Sequence, residues 1–140
     1  MFVLDTNVVS ELRKIRIGRA DKNVAQWADG VDPTDLYLSV ITVQELEIGV
    51  LLAERRDPLQ GAVFRTWLEV QVLPAFAGRI LPVDATVAKR SAALHVPNPG
   101  PFRDSLIAAT ALVHKMTLVT RNAADFQTSG VPLVNPWESR

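Results

Sequence analysis

Cysteine is missing from all 140 residues, which excludes disulfides, thiolate metal sites and cysteine nucleophiles. Aromatic residues are scarce at 6% and scattered, with no stacking motif of the RNA-recognition-sheet kind. Neither sign of charge is in excess: 15 basic residues balance 15 acidic ones. Zero net charge argues against a non-specific nucleic-acid binder of the histone kind, and leaves room for a local basic groove. No apolar run approaches the ~20 residues that cross a bilayer. The first residues lack the basic and apolar regions of a secretory signal. The cytoplasm is the expected address, with no membrane partner.

What is present is enough for a core. Hydrophobic residues make up 48% of the chain, and a chain of this length buries roughly 70% of its unfolded surface. One domain over residues 1–140 is expected. Short β-rich runs alternate with longer helical stretches. The spacing predicts strands at Phe2–Asp5, Tyr37–Ile41 (YLSVI), Ile80–Val83, Thr117–Thr120 (TLVT) and Pro132–Val134. It predicts helices from about Thr42 to Arg55, Leu59 to Val72, Asp84 to Leu94 and Asp104 to Lys115. Nearly all-apolar strands suit burial on both faces, and strand–helix alternation suits right-handed crossovers. The expected fold class is α/β: an open, mainly parallel sheet of about five strands with helices on both faces.

Four acids stand at comparable places in that pattern. Asp5 ends the first apolar run, Glu45 follows YLSVI, Asp104 opens a helix, and Asp125 comes shortly after TLVT. In open parallel sheets, ligands bind beyond the carboxyl ends of the strands. Each acid also has a plainer reading. Thr42-Val43-Gln44-Glu45 fits a capping box, Asp104 and Asp125 suit helix or turn caps, and Asp5-Thr6-Asn7 suits an Asx cap. Together, on one rim, the carboxylates would converge. Two carboxylates ~4 Å apart repel by about 4 kcal/mol at an effective dielectric of 20. Such a group protonates or holds a cation. Hard oxygen donors without thiols point to Mg²⁺ or Mn²⁺, one or two ions, and to phosphate chemistry. Glu47 lies about 200° around the helix from Glu45 and is expected to face solvent. Asp84 reads as an N-cap, and Asp21, Asp29, Asp32, Asp35 and Asp57 sit in turn-like contexts.

The blocks "VLDTNVV", "SVITVQELEIG", "RDSLIAATAL" and "LVTRNAADF" resemble the four acidic blocks of PIN-domain nucleases. The likeness is to VapC-type toxins of toxin–antitoxin pairs, in particular the FitB-like branch, and it extends to the "LVNPWE" tail. The resemblance implies a PIN-like fold and a Mg²⁺- or Mn²⁺-dependent endoribonuclease, usually a homodimer. It also implies a small DNA-binding antitoxin whose C-terminal segment fills the groove. Asp5, Glu45, Asp104 and Asp125 match the family's metal-binding catalytic acids. Thr6, Asn7, Thr120 and Asn122 match polar neighbours that orient water, ligands or substrate. Arg103 stands where many relatives place an apolar residue.

Other signals are weaker. "RKIRIGR" gathers Arg13, Lys14, Arg16 and Arg19, which suit either RNA phosphates or a solvated helix end. Arg103 and Arg121 lie near acids and suit phosphate contact or screening. The helix "VFRTWLEVQVL" is apolar on more than one face and reads as an interface or buried helix. His95 and His114 suit packing or helix-dipole roles. The alternative function is a non-catalytic binding module that docks a basic peptide on the acidic rim. A phosphoryl-accepting receiver with Asp84 as acceptor fits less well, since no lysine follows TLVT as that chemistry requires.

Overall fold

In the computed structural model, which describes residues 1–138, three short apolar strands form the centre of a five-stranded sheet. The chain begins with β1 (Phe2–Leu4), α1 (Thr6–Arg13) and α2 (Lys22–Asp29). A 3₁₀ turn at Pro33–Asp35 leads to β2 (Leu36–Ser39) and the long α3 (Val40–Arg56). Then come α4 (Pro58–Thr66), a π-helical segment at Trp67–Val72, α5 (Leu73–Ala75) and β3 (Ile80–Leu81). The last third holds α6 (Ala85–Ala93), α7 (Phe102–Val113), β4 (Thr117–Val119), a 3₁₀ stretch at Ala123–Ser129 and β5 (Leu133–Val134).

The strand order is β3-β2-β1-β4-β5, and every pairing is parallel, with Phe2 opposite both Leu36 and Thr117. Because side chains alternate along a strand, β1 feeds two cores. Leu4 packs with Val8 and Val9 of α1 and with Leu46 and Val50 of α3. Val3 packs on the other face with Ile107, Ala108 and Ala111 of α7. Helices thus cover both faces, and the carboxyl ends of β1 and β4 open on one rim.

Several boundaries differ from the sequence expectation. YLSVI is not all strand: Ser39 caps α3, its Oγ accepting from the Ile41 N–H at 3.0 Å, so Val40 and Ile41 are helical. Thr42 is therefore inside the helix and fully buried, and the Thr42–Glu45 capping box does not form. Helix α7 starts at Phe102 behind Pro101, which places Asp104 in the first turn rather than at the cap. The stretch Leu59–Val72 is α4 followed by a π-helical turn, with Leu68 and Val72 buried and Val63 and Val70 exposed. Helix α2 went unpredicted; Asp21 caps it by accepting from the Asn23 and Val24 N–H groups. Asp84 caps α6 as expected, and Asp57 caps α4.

Glu47 does not simply face solvent. Its carboxylate takes two bonds from Arg65, at 2.6 and 2.7 Å, and Arg65 also grips Glu54 and Glu69. Arg65 thus ties α4 to α3 through a fork that a lysine cannot reproduce.

Candidate active site

The rim beyond β1 and β4 collects the polar groups. Asp5 leaves the sheet with its N–H on the Val119 carbonyl (2.8 Å) and immediately caps α1, Oδ1 accepting from the Thr6 N–H at 2.8 Å. Its other oxygen accepts from Thr120 Oγ1 at 2.7 Å and from Asn7 Nδ2 at 3.4 Å. Both carboxylate oxygens are thereby fixed. The capping reading of Asp5 and the site reading are not rivals: the cap is what holds the carboxylate in place.

Glu45 sits in the second turn of α3, and its Oε1 accepts from Thr6 Oγ1 at 2.6 Å. Thr6 Oγ1 also lies 3.4 Å from Thr42 Oγ1, so the buried Thr42 belongs to the cleft floor. Sequence reasoning read Thr42 only as a cap. Asp104 stands in the first turn of α7, and Asp125 in the 3₁₀ stretch after β4.

Electrostatics couple Asp5 and Asp104 to the acids around them. Burial pushes the Asp5 carboxyl above the ordinary aspartate range; Thr120 and the Thr6 N–H pull it back, and Glu45 and Asp125 raise it further. Asp104 is also raised, first by burial and then by Asp5, Glu45 and Asp125, with Arg103 opposing. Arg103 places its Nε 3.6 Å from Glu45 Oε2, so it screens the cluster from the rim.

The supporting residues divide by what they touch. Thr120 Oγ1 donates to Asp5 and accepts from the Asn122 N–H at 3.1 Å. Asn122 enters through its backbone; its side chain makes no hydrogen bond to another described residue. Asn7 Oδ1 accepts from the Arg121 N–H at 3.3 Å, and the Arg121 guanidinium lies over Trp137, 5.2 Å from the ring centroid. The basic run after the first block lies elsewhere. Arg13 is at the far end of α1 from Asp5, its guanidinium 4.8 Å from the Phe64 ring centroid. Lys14 pairs with Glu11 at 3.2 Å. Arg16 and Arg19 follow on the exposed chain beyond α1. Of the cations marked in the sequence, Arg103 and Arg121 flank the cleft.

Whether the donors suit a metal ion is a matter of both type and spacing. The donor type is hard oxygen with raised affinity for positive charge. Among the described residues, no three acids or histidines are drawn together tightly enough to chelate an ion by themselves. An ion that keeps several waters and takes one or two carboxylates directly, as Mg²⁺ does, asks for no such cluster.

Fold and site together define a parallel α/β domain with an acidic cleft at the carboxyl edge of its central strands. A family model described as the PIN domain matches residues 2–128, and the chain belongs to that family. It is similar to VapC ribonuclease Y4jK of Sinorhizobium fredii, 40% identical over 143 residues and covering 99% of both chains. It is also similar to toxin FitB of Neisseria gonorrhoeae, 41% identical over 98% of this chain and 99% of that one. The solved structure of FitAcB from Neisseria gonorrhoeae superposes with a TM-score of 0.89 at 38% identity, covering 99% of this chain and 100% of that one. FitAB bound to an IR36 DNA fragment gives a TM-score of 0.86 at 36% identity, covering 100% of this chain and 98% of that one.

Proposed function

We propose that this chain is the endoribonuclease toxin of a toxin–antitoxin pair and that it hydrolyses RNA phosphodiester bonds in the acidic cleft with Mg²⁺ or Mn²⁺. The observation that carries this reading is the charge-coupled set Asp5, Glu45, Asp104 and Asp125 at the carboxyl ends of β1 and β4. Asp5 and Asp104 would hold the ion, and Glu45 and Asp125 would add negative charge around its waters. When bound, the ion supplies charge neutralisation at the phosphodiester and a water of lowered pKa. Thr6, Asn7 and Thr120 keep the Asp5 and Glu45 oxygens from rotating away. Arg103 and Arg121 offer positive charge to phosphates entering or leaving the cleft.

Relatives named as two-component assemblies, one of them bound to DNA, support a small DNA-binding antitoxin as the partner. Its C-terminal segment would fill the cleft, and the toxin would act as a homodimer in the cytoplasm. No helix among the described residues is long and apolar enough to cross a membrane.

The test is cleavage of total RNA with Mg²⁺, with Mn²⁺ and with a chelator, followed by mapping of product ends. Cleavage that survives the chelator overturns the metal-dependent reading. A second expected result concerns stability. Burial holds the Asp5 and Asp104 carboxyls above their unfolded values, so the folded chain keeps protons that the unfolded chain has released. Stability therefore falls as pH rises through that interval. Mn²⁺ should restore it at pH 7, by about 2.7 kcal/mol at a hundredfold excess over its Kd. The gain should shrink as pH is lowered toward 4 and protons compete. Thermal melts with and without Mn²⁺ at both pH values check this. A metal effect independent of pH contradicts it, and no effect at all favours the peptide-docking alternative.

A further inference from the structure

A recess of about 390 Å³ opens between α2 and the chain leaving β5, within the range of about 300–1,000 Å³ typical of small-molecule sites. Phe2, Trp27 and Val134 form its apolar part, and Trp27 meets Phe2 edge-to-face with ring centroids 5.6 Å apart. Its polar part is Asn23, Gln26, Asn135 and Glu138. Among the described residues, no lysine or arginine lines it. A recess with aromatic walls, neutral amides and one carboxylate is built for a polar, uncharged, flat group and against a phosphate.

Its position connects it to the cleft. Asn135 Nδ2 donates to the Arg121 carbonyl at 3.1 Å, the Arg121 N–H donates to Asn7 Oδ1 at 3.3 Å, and Asn7 Nδ2 donates to Asp5 Oδ2 at 3.4 Å. Recess and acids are thus separated by a short bonded path. Along that path stands the exposed Arg121, its guanidinium over Trp137. A single strand crossing from cleft to recess would pass a phosphate beside Arg121 and turn its next base inward. Asn135 is spent on the Arg121 carbonyl and the Trp137 N–H, and Asn23 Nδ2 on the Trp137 carbonyl at 2.7 Å. Gln26 and Glu138 make no side-chain hydrogen bond to another described residue. A glutamine offers a base edge one donor and one acceptor, and a carboxylate accepts from an exocyclic amine.

We infer that this recess seats one nucleobase of the RNA, a nucleotide or two from the bond cut in the cleft, and prefers a base with an exocyclic amine over uracil. This rests on the ribonuclease reading above. It gives the enzyme a source of sequence preference that the acids cannot supply, since they act on the backbone common to all nucleotides.

The experiment measures kcat/KM of wild type, Gln26→Ala and Trp27→Leu with Mn²⁺. The substrates are short RNA oligonucleotides that carry a mapped cut site and an abasic position moved stepwise through the flanking nucleotides. Trp27→Leu should lower kcat/KM about tenfold, within the range for losing one aromatic–base stack. Gln26→Ala, an exposed side chain whose loss leaves the core intact, should lower it less and narrow the gap between amine-bearing bases and uracil. At one abasic position, all three proteins should converge on the same slow rate. If the variants slow intact and abasic RNA by the same factor at every position, the recess is only structural and the proposal falls. It falls too if RNA kinetics stay at wild-type values while the variants lose a co-expressed protein partner. If wild type cuts no RNA at all, the ribonuclease reading fails with it. Normal cutting by wild type with indifferent variants removes the base recess alone.

Discussion

Asp5→Asn should lower RNA cleavage by about a hundred- to a thousandfold, the scale seen when a group that stabilises a transition state is removed. The melting temperature at neutral pH should stay level or rise. The two halves of this expectation come from the same geometry. Asp5 is 6% exposed, and burial is the largest cause of its raised pKa, ahead of every hydrogen bond it accepts. Its charge is therefore a liability to the fold. The asparagine keeps the oxygen that caps α1 through the Thr6 N–H and removes the ionised group that burial and Glu45 both disfavour. An exchange that costs activity without costing stability marks a functional charge, and a purely structural cap would behave the opposite way. Side-by-side kcat/KM values and thermal melts decide the matter. Activity within tenfold of wild type, or a melt lowered by many degrees, would refute the assignment. Asp104→Asn should follow the same pattern, since burial and the neighbouring acids raise that carboxyl as well.

The acids were legible in the sequence because each follows or opens a segment whose character is plain. Asp5 ends an apolar strand, and Asp125 follows the block LVT. Once a parallel sheet is recognised, all such ends fall on one rim. What stayed hidden depends on tertiary context. Val40 and Ile41 read as strand because β-branched residues continue an apolar run. Packing of α3 on the core starts the helix there, and Ser39 supplies the cap. This shift carries Thr42 into the cleft floor. Helix α2 is hidden by its length: eight residues span little more than two turns, too short for the helical period to stand out, and Val24 is its buried residue. The basic run looked useful for RNA by composition alone, but α1 carries Arg13 and Lys14 away from Asp5 and toward Phe64 and Glu11. The recess could not be read at all: residues 2, 27 and 134–138 meet only through folding.

A glycine pair offers the sharpest test of the packing that supports Glu45. Gly61→Ala should destabilise the protein by about 2 kcal/mol, a fall in Tm of roughly 6 °C. Gly49→Ala, the same change one helix earlier, should stabilise it by up to about 1 kcal/mol. Alanine is the better helix former at both positions, so propensity alone predicts a gain twice. Gly61, however, lies where α4 crosses α3: a Cβ there would collide with Glu54 Cα and lie 2.6 Å from Glu54 N. Those are backbone atoms and cannot swing aside, so the helices must separate. One turn further along α4, Arg65 holds Glu54 at 3.1 Å and Glu47 at 2.6 Å. Separation would stretch both bonds as well. At Gly49 nothing lies within 4 Å of the added carbon, so only the gain in helix propensity remains. Because α3 also presents Glu45 to the cleft, Gly61→Ala should reduce cleavage even at temperatures where the chain stays folded, and Gly49→Ala should not. Chemical or thermal unfolding of the two variants checks the opposite signs; equal shifts in one direction would mean that the α3–α4 crossing is looser than the structure places it.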